Sequence, residues 1–160
     1  MIIKSIECVR VQFLKKNYSS KPRKQSWAET DEVANPMSRF PSVKSHRSLW
    51  LPKWGSVWCK VTLENGVWGL GMTDQGAIAA TIVRDHLAPN LVGHDGFAIE
   101  MISDMMFRLT KPFGTVGLAS YAISAIDLAL WDAKAKSLGV PVYSLIGCLL
   151  YTSPSPRDLR

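Results

Sequence analysis

Cysteine is scarce in this sequence, with three in 160 residues, and no long hydrophobic run is present. Thiols at positions 8, 59 and 148 form neither a disulfide framework nor a paired metal motif, which favours the reducing cytoplasm. The apolar stretch without charge at residues 112–126 has 15 residues, whereas a membrane-spanning helix needs about 20. Lys4, Glu7 and Arg10 interrupt the region where a signal peptide carries its apolar core. The sequence therefore predicts a cytoplasmic protein without membrane contact.

The chain is also short for several large enzyme folds. A complete (β/α)8 barrel takes roughly 250 residues, so we expect any activity that needs such a barrel to be incomplete in 160 residues. With 47% hydrophobic and 20% charged residues, the composition is that of one globular domain with a real core.

Positive charge is unevenly distributed along the chain. Residues 1–60 carry a net charge of +8, residues 61–147 carry −3 and the last 13 add +1, for a total of +6. A basic excess of this kind can meet nucleic acid, anionic lipid or a small anionic substrate, and composition does not choose among them.

Alternating apolar residues predict three strands. The first covers residues 6–13, and Asn65-Gly66 is a strong hairpin signal between a second strand and its return over residues 67–72. Gly69 and Gly71 on the third strand leave room for another group to approach closely. The inward face of the second strand comprises Val57, Cys59, Val61 and Leu63. These strands predict a three-stranded antiparallel meander.

The connection between the first two predicted strands, residues 14–55, is unusually long. Loops beyond roughly 15 residues in a compact domain are usually functional or disordered. A flexible linker should be poor in aromatic residues, and this segment contains Trp27, Phe40, Trp50 and Trp54. We therefore favour a loop that becomes ordered over a site or against a partner.

Helical apolar spacing begins after Gly76. The pattern predicts one helix that ends at Pro89, a second that Asp95 caps and that carries its apolar stripe over residues 99–109, and a third over residues 119–138 that stops at Gly139. Together with the meander, this gives an α+β fold in which a sheet is followed by a helical bundle.

Two carboxylates, Asp127 and Asp132, interrupt the apolar surface of the third predicted helix. Five residues apart, they point in directions more than about 100° apart, so they are not a paired acid and base. We expect each to cap or pair with a neighbouring segment.

A specific family resemblance lies in residues 122–147. The run AISAIDLALWDAKAK, followed by PVYSLIG, resembles the first signature of the mandelate racemase and muconate lactonizing branch of the enolase superfamily. Upstream, NPMSRF at 35–40, ENG at 64–66 and KPFG at 111–114 resemble acid-sugar dehydratases, most nearly those acting on L-rhamnonate.

The resemblance implies that residues 1–147 form an amino-terminal capping domain that closes over the mouth of a following (β/α) barrel. In this superfamily a Lys or His base removes the proton α to a carboxylate while Mg²⁺ stabilises the enediolate, and in a dehydratase the β-hydroxyl then leaves. The base and the metal ligands belong to the barrel. The resemblance thus implies a lyase as the parent, commonly a homo-oligomer, and an inactive fragment with no catalytic or metal-ligating residue of its own.

The cap contributes substrate contacts in this family, and the resemblance points to two segments. Arg47, in the long loop, aligns with an arginine that contacts the acid sugar, and a guanidinium suits a carboxylate or several hydroxyls. The second segment, Thr73, Asp74 and Gln75 before Gly76, follows the third strand and should face the barrel mouth. The related dehydratases also place a histidine earlier in the long loop, and residues 18–34 contain none.

The last 13 residues, 148–160, depart from the family pattern. The string CLLYTSPSPRD matches what one reading frame of a common transposase-end sequencing adapter encodes. We expect this segment to be a foreign tail on a truncated gene, outside the fold.

Two other functions remain open from the sequence. A racemase or cycloisomerase of the same branch would carry a similar cap. The basic loop could instead mark a small nucleic-acid-binding module, although no helix-turn-helix, zinc knuckle or ribonucleoprotein pattern supports it.

Overall fold

The computed structural model describes residues 1–9, 39–41 and 54–147. The chain divides into two compact units, one comprising Met1–Val11 with Trp54–Arg160 and the other Gln12–Lys53. In the second unit, residues 39–41 form an exposed turn. Across the described segments, no helix combines the length and the apolar character that crossing a membrane requires.

The first unit contains the predicted antiparallel meander. Strands β1 (Ile3–Val9), β2 (Ser56–Leu63) and β3 (Trp68–Asp74) pair in the order β1-β2-β3. The alternation in β2 is confirmed, because its four inward residues are all buried: Val57, Cys59, Val61 and Leu63. One face of the sheet therefore lines the core.

β1 begins earlier than the sequence pattern indicates. Ile3 and Ile6 are both buried although they are three residues apart, which strict alternation forbids. The pairing with β2 shifts between Ile3 and Ser5, and such a bulge brings both isoleucines to the same face. The predicted span of residues 6–13 was wrong at its start, and its part beyond Val9 lies outside the described residues.

The hairpin between β2 and β3 has one left-handed residue, a glycine. Gly66 has a φ of 83°, whereas Asn65 does not have a positive φ. The Leu63 amide donates to the Val67 carbonyl at 2.8 Å, and the Gly66 amide donates to the Leu63 carbonyl at 2.9 Å. This is a three-residue connection with glycine at its left-handed position.

Helices follow the sheet and cover its buried face. They are α1 (Gly76–Ile82), a π-helical turn (Val83–Leu87), α2 (Ala88–Leu91), α3 (Ile99–Thr110), a 3-10 turn (Lys111–Phe113), α4 (Leu118–Leu138) and α5 (Val142–Leu145). α4 ends as predicted, at Gly139 with a φ of 67°.

Two predicted helix boundaries were wrong. The first helical segment does not end at Pro89, because a π turn widens the helix just before the proline and helical structure continues to Leu91. Asp95 does not cap α3, whose N-cap is Ala98. Its carboxylate instead accepts hydrogen bonds from the amino terminus at 2.7 Å and from the Phe97 amide at 3.0 Å.

The backbone of α4 packs directly against the two glycines of β3. A Cβ on Gly69 would lie 2.0 Å from the Ala129 carbonyl oxygen, and a Cβ on Gly71 would lie 2.1 Å from that of Ala125. The close approach predicted for these glycines is thus made by a helix of the same domain. Small residues on both sides bring α4 directly onto the sheet.

The two carboxylates of α4 have the structural partners that were expected. Asp127 accepts a hydrogen bond from the Ser103 hydroxyl at 2.7 Å. Asp132 accepts one from the Leu70 amide of β3 at 2.8 Å and pairs with Lys136 at 2.6 Å. Each therefore ties α4 to a neighbouring element.

Candidate functional site

The end of β3 turns directly into α1. Thr73 and Asp74 are the last two residues of the strand, and Gln75, with a φ of 61°, is the one left-handed residue before the helix begins at Gly76. The Gly76 amide donates to the Gly55 carbonyl at 2.8 Å. The predicted loop is therefore a tight turn, and most of the predicted segment is strand.

The close packing of this turn against β2 explains why a glycine follows Gln75. A Cβ on Gly76 would lie 2.8 Å from the Ser56 carbonyl carbon, inside ordinary contact distance. The start of α1 is thereby held against β2, next to the end of β3.

A groove of about 460 Å³ opens beside this turn. It lies between the end of β3 and the first turns of α4, and we call it the β3–α4 groove. Its described lining residues are Met72, Thr73, Asp74, Ser120, Tyr121 and Ser124. The two elements are more than 40 residues apart in sequence, and the packing of Gly71 against α4 brings them together.

The groove offers hydroxyl groups and one carboxylate. Asp74 and Tyr121 are exposed, whereas Thr73 is only 6% exposed. The Ser120 hydroxyl already donates to the Gly117 carbonyl at 2.6 Å, so its oxygen is oriented to accept a further hydrogen bond. Such a lining suits a ligand with several hydroxyl groups.

The groove by itself does not suit the carboxylate of a ligand. Of the six lining residues that the structure describes, none is a cation and Asp74 is an anion. A carboxylate beside Asp74 would be repelled. An anionic ligand therefore needs a cation from elsewhere, and predicted Arg47 lies outside the described residues.

The structure brings together part of the predicted site and adds to it. Thr73 and Asp74 share the groove, whereas half-buried Gln75 is not among its described lining residues. Sequence reasoning missed Ser120, Tyr121 and Ser124. Their signal was available as hydroxyl residues at positions i, i+1 and i+4 near the start of an otherwise apolar helix.

Within residues 1–9, 39–41 and 54–147, no group of three or more His, Cys, Asp or Glu side chains is placed to hold a metal ion. Mg²⁺ prefers clustered oxygen ligands, so the described residues do not fit a magnesium site.

The curated relatives of the chain include two that match more than 70% of it. A protein of Saccharopolyspora erythraea named L-rhamnonate dehydratase is 39% identical over 118 residues, which are 73% of this chain and 30% of the relative. A protein of Caldivirga maquilingensis, provisionally given the same name, is 40% identical over 116 residues, 72% of this chain and 29% of the relative. The chain thus spans about 30% of the length of these curated relatives.

Solved structures resemble the chain as well. Crystal structures of L-rhamnonate dehydratase from Gibberella zeae, one of them complexed with Mg, superpose with a TM-score of 0.76 at 27% and 28% identity. The superposition covers 91% of this chain and 34% to 36% of the dehydratase chains.

Residues 33–147 match the family described as mandelate racemase / muconate lactonizing enzyme, N-terminal domain. The chain therefore belongs to the mandelate racemase and muconate lactonizing enzyme family of the enolase superfamily, and it carries that family's amino-terminal domain.

Proposed function

We propose that this chain is the substrate-selecting cap of an acid-sugar dehydratase that acts on L-rhamnonate or a similar sugar acid. The observation that carries the proposal is the pair of relatives, 39% and 40% identical, that bear the name L-rhamnonate dehydratase. The polyhydroxyl character of the β3–α4 groove supports it, because sugar acids present several hydroxyl groups to a site.

The proposed roles divide the substrate into two parts. Thr73, Asp74, Ser124 and Tyr121 accept or donate hydrogen bonds to the sugar hydroxyls. By the family resemblance, Arg47 is the proposed contact for the substrate carboxylate, since a guanidinium can hold a carboxylate through two parallel hydrogen bonds. Gln75, in the turn that follows β3, is the remaining proposed contact to the substrate.

Catalysis in this proposal belongs to the longer enzyme. The family resemblance assigns the general base and the Mg²⁺ ligands to a barrel that follows residue 147, and no step proposed for this chain involves the metal. We therefore expect the 160-residue chain alone to leave L-rhamnonate unchanged. The longer enzyme would be a cytoplasmic homo-oligomer, and residues 148–160 would not belong to it.

The reaction class is tested on the longer gene product. The coding sequence downstream of residue 147 should encode a barrel rather than adapter codons, and the complete protein with Mg²⁺ should convert L-rhamnonate into an α-keto acid. A complete protein that racemises or cycloisomerises its substrate without losing water would instead support the alternative members of the family.

The role of the cap is tested by transplanting it. Residues 1–147 are joined to the barrel of the Saccharopolyspora erythraea dehydratase, and KM and kcat are measured for a panel of sugar acids. Asp74→Asn should raise KM with little change in kcat, and Arg47→Met should raise KM by about tenfold or more, since hydrogen bonds to charged groups contribute about 1.5–3 kcal/mol. Asp85→Asn, an exposed carboxylate outside the groove, is the matched control. Unchanged KM values in both site variants would contradict the proposed contacts.

A further inference from the structure

Cys8 and Cys59 lie directly opposite each other on neighbouring strands, although the long connection separates them in the sequence. Directly opposed residues of an antiparallel pair have Cα atoms about 4.5–5.5 Å apart. A disulfide spans a Cα separation of about 4.4–6.8 Å. The sheet therefore holds the backbone of both cysteines at a distance that a disulfide can bridge.

Both thiols are on the face of the sheet that the helices cover. Cys59 is completely buried among the inward residues of β2. Opposed residues point to the same face of a sheet, and the neighbouring opposed pair, Ile6 and Val61, is buried on this face as well. The Cys8 thiol donates to the Ala80 carbonyl of α1 at an S···O distance of 3.8 Å. The two thiols therefore point to the same side of the sheet, toward α1.

The surroundings give the two thiols different reactivity. Cys8 is half-buried, and burial raises the pKa of its thiol while the Arg84 guanidinium opposes that rise. Burial raises the pKa of the Cys59 thiol to about 12, and the negative charge of a Cys8 thiolate adds to that rise. Thiolates, not thiols, attack disulfides. An oxidant from solution should therefore react first at Cys8, and Cys59 is placed to react with the product.

We propose that Cys8 and Cys59 are a redox site, which an oxidant of the disulfide class, such as oxidised glutathione, converts into a reversible disulfide. The Cys8 thiolate attacks one sulfur of oxidised glutathione, the S–S bond of the oxidant breaks, and one glutathione leaves as a thiolate. Cys59 then loses its proton, its sulfur attacks the Cys8 sulfur of the mixed disulfide, and the second glutathione leaves. Two protein thiols are oxidised, one oxidised glutathione is reduced, and the two protons end on the released glutathione thiols.

The bond closes a covalent loop from Cys8 to Cys59, which contains the whole connection between β1 and β2. Closing a loop of this length restricts the unfolded chain and so stabilises the fold. Opposed Cβ atoms are about 4.5–5.5 Å apart, slightly more than the roughly 3.5–4.5 Å of a disulfide, so the two strands must approach locally. A bond under such strain is more easily reduced, which suits a reversible modification better than a permanent cross-link.

Oxidation of the folded chain tests the proposal. Cys148→Ser removes the third thiol, and this variant is equilibrated with mixtures of oxidised and reduced glutathione. The expected product is a monomer that lacks both thiols, carries no glutathione and yields one cross-linked peptide containing Cys8 and Cys59. The equilibrium constant of its formation should be at least about tenfold higher in the folded chain than in concentrated urea, because only the fold holds the two cysteines opposite each other. Dithiothreitol should restore both thiols.

Two variants in the Cys148→Ser background are the matched controls. With Cys59→Ala, oxidation should stop at the mixed disulfide between Cys8 and glutathione. With Cys8→Ser, a milder change at a half-buried position, buried Cys59 should stay reduced, and circular dichroism verifies the fold of each variant. The proposal is overturned if the chain with both cysteines stops at the mixed disulfide or forms disulfides only between chains. An equilibrium constant no higher in the folded chain than in urea overturns it as well.

Discussion

Gly69→Ala should destabilise the domain although alanine is ordinarily the better residue in regular structure. At a position with a compatible backbone, Gly→Ala stabilises a protein by about 0.4–1 kcal/mol through the unfolded state. Here the added Cβ would lie 2.0 Å from the Ala129 carbonyl oxygen and 2.4 Å from the Ala133 amide nitrogen, against 3.4 Å or more for ordinary contact. Both facing atoms are backbone and cannot rotate away.

The magnitude follows from what must move. α4 has to withdraw from β3 by about 1 Å, and a gap of that size removes roughly a quarter to a half of the dispersion energy of the facing atoms. Overpacked cores lose about 1–3 kcal/mol, and a rigid backbone contact belongs at the upper end. After the unfolded-state gain, we expect a net loss of about 2–3 kcal/mol, or a fall in Tm of roughly 5–10 °C.

Urea and thermal denaturation followed by circular dichroism measure this loss. Gly139→Ala is the control, because Gly139 has open space around its Cβ position and only a positive φ of 67°; it should cost about 1 kcal/mol. Adding Ala133→Gly to Gly69→Ala should not restore stability, since the opposing atoms are backbone. If Gly69→Ala costs no more than the control, or if Ala133→Gly rescues it, the inferred contact between α4 and β3 is wrong.

Three further predictions concern the hydrogen bond between Asp132 and Leu70 and the two thiols at positions 8 and 59. Asp132→Ala leaves the Leu70 amide without its 2.8 Å acceptor and should lower the free energy of unfolding by about 1–3 kcal/mol in urea titrations. Asp132→Asn keeps an acceptor and should cost less. Equal losses of stability in the two variants would show that the hydrogen bond is unimportant. Burial raises the pKa of the Cys59 thiol to about 12 from 9.0, so the unfolded chain releases this proton first and stability should fall as the pH rises from 9.0 toward 12, by up to about 1.4 kcal/mol per pH unit. A flat stability profile above pH 9 would contradict the raised pKa of Cys59. In a Cys148→Ser background at pH 8, Cys8 should react with a thiol reagent well before Cys59 does. Equal reaction rates in the folded protein would contradict the burial of Cys59.

The sequence by itself determined the elements that rest on local pattern. Alternation marked the buried face of β2, the Asn65-Gly66 pair marked the hairpin, and the apolar repeat with Gly139 marked α4 and its end. The family signature lies in residues 122–147, a continuous segment of the chain. Each of these signals depends on residues within a few positions of one another, so no knowledge of the fold was needed to interpret it.

Only the tertiary structure decided features that join distant segments. The bulge that buries both Ile3 and Ile6 depends on pairing with β2, and the attachment of Asp95 to the amino terminus spans 94 positions. The β3–α4 groove likewise exists because Gly71 admits the α4 backbone, which places Ser120, Tyr121 and Ser124 beside Asp74. A local pattern states which residues are apolar or polar, whereas a groove depends on which of them close packing brings together.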